Sequence, residues 1–205
     1  ANDEYNKLLT EKMKKLFTLL AFLSLISGQI LSQSAGDYVF SYSNGTYIPI
    51  TATVSTATGD DGTESLAIPF TFNYCGTDYT TAFVCTNGWL EIGTTYSGNA
   101  WSNDMASTEV KPIVAALWDD HYITSGNIQY TTIGAAPDRI FVVQWTDVLW
   151  YYSGGTPQNF QVRLYETSNV VEVIYGTMNP PTPGASASIG INDQTGGSTH
   201  FLSVT

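Results

Sequence analysis

From position 37 onward the chain runs in short alternating apolar and polar segments broken by Gly, Asn, Asp and Pro, without a stretch of helical period long enough to matter. The pattern predicts strands at 37–42, 47–54, 68–74, 79–86, 89–93, 113–118, 127–132, 139–148, 159–166, 170–175, 187–191 and 199–203. Strands at that spacing suit an all-β fold, an antiparallel two-sheet β-sandwich of about 10–12 strands, jelly-roll or Ig-like in type. The sharpest patterning lies between 139 and 176. There Phe141, Val143 and Trp145 share one face of a strand, and Phe160, Val162 and Leu164 share one face of the next. Thr167-Ser168-Asn169 reads as the turn of a hairpin, and the segment 134–138, with Gly134 and Pro137, turns the preceding pair. The long loops are 93–110 and 177–185, the second held extended by Pro180, Pro181 and Pro183. Loops of that length are where a binding site is expected.

The start of the chain changes the picture. Met13-Lys14-Lys15 followed by an apolar run from Leu16 to Ile26 reads as a secretory signal peptide, with cleavage expected after Ser32. The run is shorter than the roughly 20 apolar residues of a membrane span, so no integral span is expected in the mature chain. The expected organisation is an upstream read-through segment over 1–12, the signal peptide over 13–32 and one β-sandwich domain over 33–205, cut from a longer protein. The expected address is secreted or cell surface.

Composition agrees with strands. The chain holds 27 Thr, 13 Tyr and 5 Trp in 205 residues, a bias toward β-branched and aromatic side chains. Its net charge is -11, from 7 basic and 18 acidic residues, which excludes a nucleic-acid binder held by phosphate contacts. Lys7, Lys12, Lys14 and Lys15 fall in the leader region, leaving Lys111, Arg139 and Arg163 to face 15 acidic residues from Asp37 onward. Such a surface attracts cations and repels anionic polymers.

Several motifs stand in a telling order: Phe70-Thr71-Phe72-Asn73-Tyr74, Thr86-Asn87-Gly88-Trp89-Leu90-Glu91-Ile92-Gly93, and Ile113-Val114-Ala115-Ala116-Leu117-Trp118-Asp119-Asp120. Phe141-Val142-Val143-Gln144-Trp145, the run from Asn159 to Thr167, Glu172-Val173-Ile174-Tyr175-Gly176 and Ser188-Ile189-Gly190-Ile191 follow. This succession, over about 36–205, resembles a β-sandwich module of bacterial surface proteins exported by the type IX route and, more distantly, the extracellular domain of nidogen (NIDO-like). The resemblance implies a non-catalytic adhesion, matrix or spacer module of a larger exported protein, and it brings no catalytic residues with it. The two cysteines depart from the pattern.

The candidate chemistry is sparse. No Gly-x-Ser-x-Gly elbow, HExxH or phosphate-binding glycine loop occurs, and His121 and His200 are the only histidines, so no catalytic residues are assigned and no enzymatic activity is expected. Trp150-Tyr151-Tyr152, leading into Ser153-Gly154-Gly155, is the most suggestive feature, because three successive aromatics at a strand end can offer rings to a sugar or a protein. Trp101, in the long 93–110 loop, is a second contact candidate. The expected partner is therefore an extracellular protein or polysaccharide, with a carbohydrate-binding module or the accessory domain of a secreted hydrolase as the alternatives. Asp60, Asp61 and Glu64 offer oxygen ligands suited to Ca²⁺, although without the full spacing of a calcium loop. No other cofactor is expected. On a strand, Asp119, Asp120 and His121 alternate faces, so they cannot converge on one ion without a bulge. An even cysteine count in an exported chain invites a disulfide between Cys75 and Cys85. A simple hairpin at Gly76-Thr77-Asp78 sets them about 20 Å apart, against the roughly 7 Å a bridge allows, and favours two separate buried thiols.

Overall fold

The computed structural model describes residues 33–98 and 101–204, and the expected leader lies outside them. The chain is all-β, with two antiparallel sheets packed face to face. In chain order the strands are β1 (Thr53–Val54), β2 (Gly59–Asp60), β3 (Thr63–Tyr74), β4 (Thr77–Cys85), β5 (Trp89–Ile92), β6 (Ile113–Trp118) and β7 (Tyr122–Ile123). They continue with β8 (Asn127–Ile133), β9 (Ile140–Trp150), β10 (Thr156–Tyr165), β11 (Val171–Met178), β12 (Ser188–Asn192) and β13 (Phe201–Ser203). One sheet runs β1-β8-β9-β10-β11, with the short β7 joining β9 and carrying β2; the other runs β13-β12-β6-β5-β4-β3. Among the described residues, no helix is long and apolar enough to cross a membrane.

Alternation does most of the work. Along β3, Leu66, Ile68, Phe70, Phe72 and Tyr74 are buried while Ser65, Ala67, Pro69 and Thr71 face water. Pro69, which cannot donate to a ladder, is tolerated because β3 is an edge strand. The turns over 134–138 and 167–169 close the β8–β9 and β10–β11 hairpins as their sequences predict, with Gly134, Thr167 and Asn169 at positive φ. Between the sheets, Trp145 stacks on Phe160 at 5.0 Å and donates its Nε1–H to the Cys85 carbonyl, so the largest core side chain leaves no buried donor unpaired.

β6 is buried along its whole length. Val114 and Ala116 face the inter-sheet core, whereas Ile113, Ala115 and Trp118 join Cys85, Trp89, Met105 and Val110 in a second apolar cluster. The long loop before β6 supplies Met105 and Val110, and so acts as a cover as well as a connection.

The N-terminal part differs from expectation. Neither 37–42 nor most of 47–54 forms a strand: Ala35–Asp37 is a single 3-10 turn and only Thr53–Val54 pairs, with β8. The reason lies in two glutamines on the outer face of the first sheet. Gln144 accepts the Ile50 N–H (2.9 Å) and donates to the Ile50 carbonyl, and Gln161 donates to the Ile48 carbonyl (2.9 Å). The Tyr47 ring sits where a Cβ on Gly176 would be. Residues 47–50 are thus held against the sheet by side-chain amides in place of a backbone ladder. Both glutamines are nearly wholly buried, and burial is compatible with such polar groups only because these bonds satisfy them.

Candidate functional site

Three segments meet at one carboxylate. Asp119, buried just past β6, accepts the N–H of Asp120 (2.9 Å), the N–H of Ser186 (2.7 Å) and the indole N–H of Trp150 (3.1 Å). The Trp150 indole also reaches the Ser186 carbonyl at 2.9 Å. Asn103 joins the same node, donating its side-chain amide to the Ser186 hydroxyl (2.7 Å) while its carbonyl accepts from Ser188 (2.6 Å). The loop bearing Trp101 and the end of β9 bearing Trp150 are therefore tied to one residue, Ser186. Trp101, two positions before Asn103, is 61% exposed.

Beyond Trp150 the backbone turns sharply. Tyr151 and Tyr152 have φ of 67° and 58°, two successive bulky residues in the left-handed region that glycine occupies at least cost. The turn is fixed by the Tyr152 N–H, which donates to the Asp120 carbonyl at 2.5 Å. Both rings face outward, 40% and 49% exposed. Tyr151 lies against Gly184 of the proline-rich loop, and Tyr152 meets Tyr122 with centroids 5.8 Å apart and planes tilted by 57°. Of the aromatics singled out in the sequence, Trp150 is thus half-buried and pinned, while Tyr151, Tyr152 and Trp101 present their rings to solvent.

The acidic residues regroup. Asp60 pairs with Tyr122 between β2 and β7, which puts their side chains on the same face and brings Asp60 beside the Tyr122–Tyr152 contact. Carboxylate oxygens of Asp60, Asp61 and Asp120 lie within 4.8 Å of one another. Partial burial raises the Asp60 and Asp120 carboxyls above the ordinary range, and repulsion from neighbouring acids adds to it. Asn87 donates to Asp61 at 2.7 Å. Glu64, grouped with Asp60 and Asp61 on sequence, turns away to the Ser55 hydroxyl (2.5 Å) and the Thr56 N–H (2.7 Å), where it braces the β1–β3 connection. Asp120 stands nearest in its place. A set of carboxylates alone does not make a cation site.

The remaining chemistry-bearing groups are the two histidines and the two cysteines. His121 is fully buried, its Nε2–H donating to the Leu117 carbonyl and its backbone N–H to the Asn87 side chain; burial lowers its pKa to about 4. His200 pairs with Asp193 at 3.0 Å, and that carboxylate also accepts the N–H groups of Ala35, Thr195 and Gly196. Cys75 and Cys85 are not bridged. Cys75 lies in the inter-sheet core and Cys85, at the far end of β4, in the second cluster, so the strand length between them keeps the thiols apart. Burial pushes both thiols up to about 12, away from the thiolate that reacts.

Trp150, Tyr151 and Tyr152 adjoin in the chain, whereas the residues that touch them come from distant segments. Tyr122 and Ser186 enter only through β2–β7 pairing and the Asp119 node, for which no local spacing gives a signal. The family model described as NIDO related matches residues 37–205. No curated protein and no solved structure matches the chain.

Proposed function

We propose that this chain, which belongs to the NIDO-related family, is a non-catalytic extracellular module of a larger exported surface protein, and that it holds a protein partner through the end of the sandwich bearing Trp101, Tyr151 and Tyr152. The observation that carries the reading is the strained turn at the end of β9. Two bulky residues sit in the left-handed region and direct their rings into water, an arrangement that costs stability, on the order of 1–3 kcal/mol for each residue, and that persists where a surface is selected for contact. Its supports are rigid: Asp119 and Ser186 hold the neighbouring loops before any partner arrives, which lowers the ordering cost of binding. Asp119 and Asp193 are engaged with backbone groups, His200 with Asp193, and His121 through Nε2 with the Leu117 carbonyl, which supports a structural rather than catalytic use.

A protein partner fits this surface better than a glycan. Sugar platforms favour flat, accessible rings, whereas the Trp150 indole is half-buried and tied by two hydrogen bonds and Tyr152 is tilted against Tyr122. The test is a binding panel of extracellular matrix proteins and polysaccharides read by tryptophan fluorescence, with and without Ca²⁺. Saturable binding to a protein, insensitive to Ca²⁺, is expected. Saturation by a polysaccharide with no protein responding would replace this reading with a carbohydrate-binding module.

A further inference from the structure

The chain contains two Asn-Gly pairs, Asn44-Gly45 and Asn87-Gly88, and the fold treats them in opposite ways. Asn87 is wholly buried, its Nδ2 donating to Asp61 at 2.7 Å and its Oδ1 accepting the His121 N–H at 3.0 Å. The Gly88 N–H donates to the Cys85 carbonyl at 3.3 Å, and the Leu117 carbonyl crowds the same glycine. Every group that could react is engaged or walled in.

Asn44-Gly45 lies in the exposed segment between two anchors, Tyr38, whose hydroxyl accepts the Cys75 N–H, and Tyr47 on Gly176. Asn44 and Gly45 are exposed, and among the described residues neither has a hydrogen-bond partner. No atom lies within 4 Å of the position a Cβ on Gly45 would take. The Gly45 amide nitrogen is therefore free, and the residue that carries it has no side chain to obstruct approach.

We propose that Asn44 is a site of spontaneous covalent modification. The Gly45 nitrogen attacks Cγ of Asn44 and a new C–N bond closes a five-membered succinimide. The Cγ–Nδ2 bond breaks, and ammonia leaves with the proton given up by the Gly45 nitrogen. Water then opens the ring at either carbonyl, giving aspartate when the side-chain carbonyl is attacked and isoaspartate when the backbone carbonyl is attacked. Either product carries one more negative charge, and isoaspartate also lengthens the main chain by one carbon ahead of Tyr47. No oxidant or enzyme is required, so the extent of conversion records the time the folded chain has spent in water.

The experiment is incubation of the full chain in mildly alkaline buffer followed by peptide mapping, with chromatographic separation of the aspartate and isoaspartate forms. A short synthetic peptide with the sequence around Asn44 is incubated alongside. The Asn44 peptide is expected to convert to both products at a rate close to that of the free peptide, while Asn87 keeps its amide. Gly45→Ala should slow conversion by about tenfold, the effect of roughly 1.4 kcal/mol on the barrier. Equal rates at Asn44 and Asn87, or an intact Asn44 after the free peptide has converted, would overturn the proposal.

Discussion

Replacing Asp119 by alanine is expected to destabilise the fold by about 3 kcal/mol and to loosen the aromatic end as a unit. The magnitude follows from what the carboxylate holds. Removing it leaves the Ser186 and Asp120 N–H groups without their acceptor, and Trp150 keeps only the Ser186 carbonyl. Two part-buried hydrogen bonds are then lost, each a penalty toward the lower end of about 1–3 kcal/mol, and the buried site also loses its charge-assisted bond to Trp150. Asp119→Asn retains one carbonyl oxygen and should lose about half as much. Denaturant unfolding gives the stability, and amide exchange at Ser186 and Asp120 gives the local effect. An Asp119→Ala protein as stable as the parent, with both amides equally protected, would mean that the node does not hold these loops together.

Acid should unfold the protein in a window set by His121. Burial lowers this imidazole from its ordinary 6.5 to about 4, so the unfolded chain binds the proton first as pH falls. Stability is complete above about 6.5 and declines below it, by up to about 1.4 kcal/mol per pH unit, until the folded-state value is reached. Over the interval from 6.5 to about 4 the loss amounts to roughly 3 kcal/mol. The carboxyls act in both directions. Asp193, beside His200, and Glu166, beside Arg139, are held below the ordinary range, so their contribution is lost as pH falls through their folded-state values. Glu91, Asp60 and Asp120 are held above it by burial, and their protonation favours the folded state. His121→Gln, which keeps a donor for the Leu117 carbonyl, should flatten the decline between pH 6.5 and 4. The same slope in the variant would assign the acid sensitivity to other groups.

The parts of the fold legible in the sequence are those whose partners are strands. Phe141, Val143 and Trp145 alternate because β9 has a core face, and the Thr167-Ser168-Asn169 turn marks the β10–β11 hairpin because Asn169 tolerates positive φ. The segment over 47–50 alternates too, but its partners are the side chains of Gln144 and Gln161, and nothing in a period of two distinguishes a side-chain acceptor from a neighbouring strand. The two-residue strands β2 and β7 are too short to leave a pattern, yet their pairing moves Asp60 beside Tyr122 and Asp61 near Asp120. Glu64 illustrates the reverse: adjacency in sequence suggested a shared site with Asp60 and Asp61, whereas its carboxylate satisfies Ser55 and Thr56. The aromatic run is visible in the sequence, but the bond that draws Trp150 inward comes from Asp119, 31 positions earlier.

The most direct measurement of the proposed docking role compares partner binding of the parent with that of a Tyr151→Gly/Tyr152→Gly variant, using the protein that saturates in the fluorescence panel. Glycine adopts the φ of 67° and 58° found there without strain, so the exchange removes the rings and leaves the turn, and stability should stay within about 1 kcal/mol of the parent. Binding is expected to weaken by at least about tenfold, as for loss of central aromatic contacts. A folded variant that binds as tightly as the parent would contradict the assignment of this end of the sandwich as the docking surface.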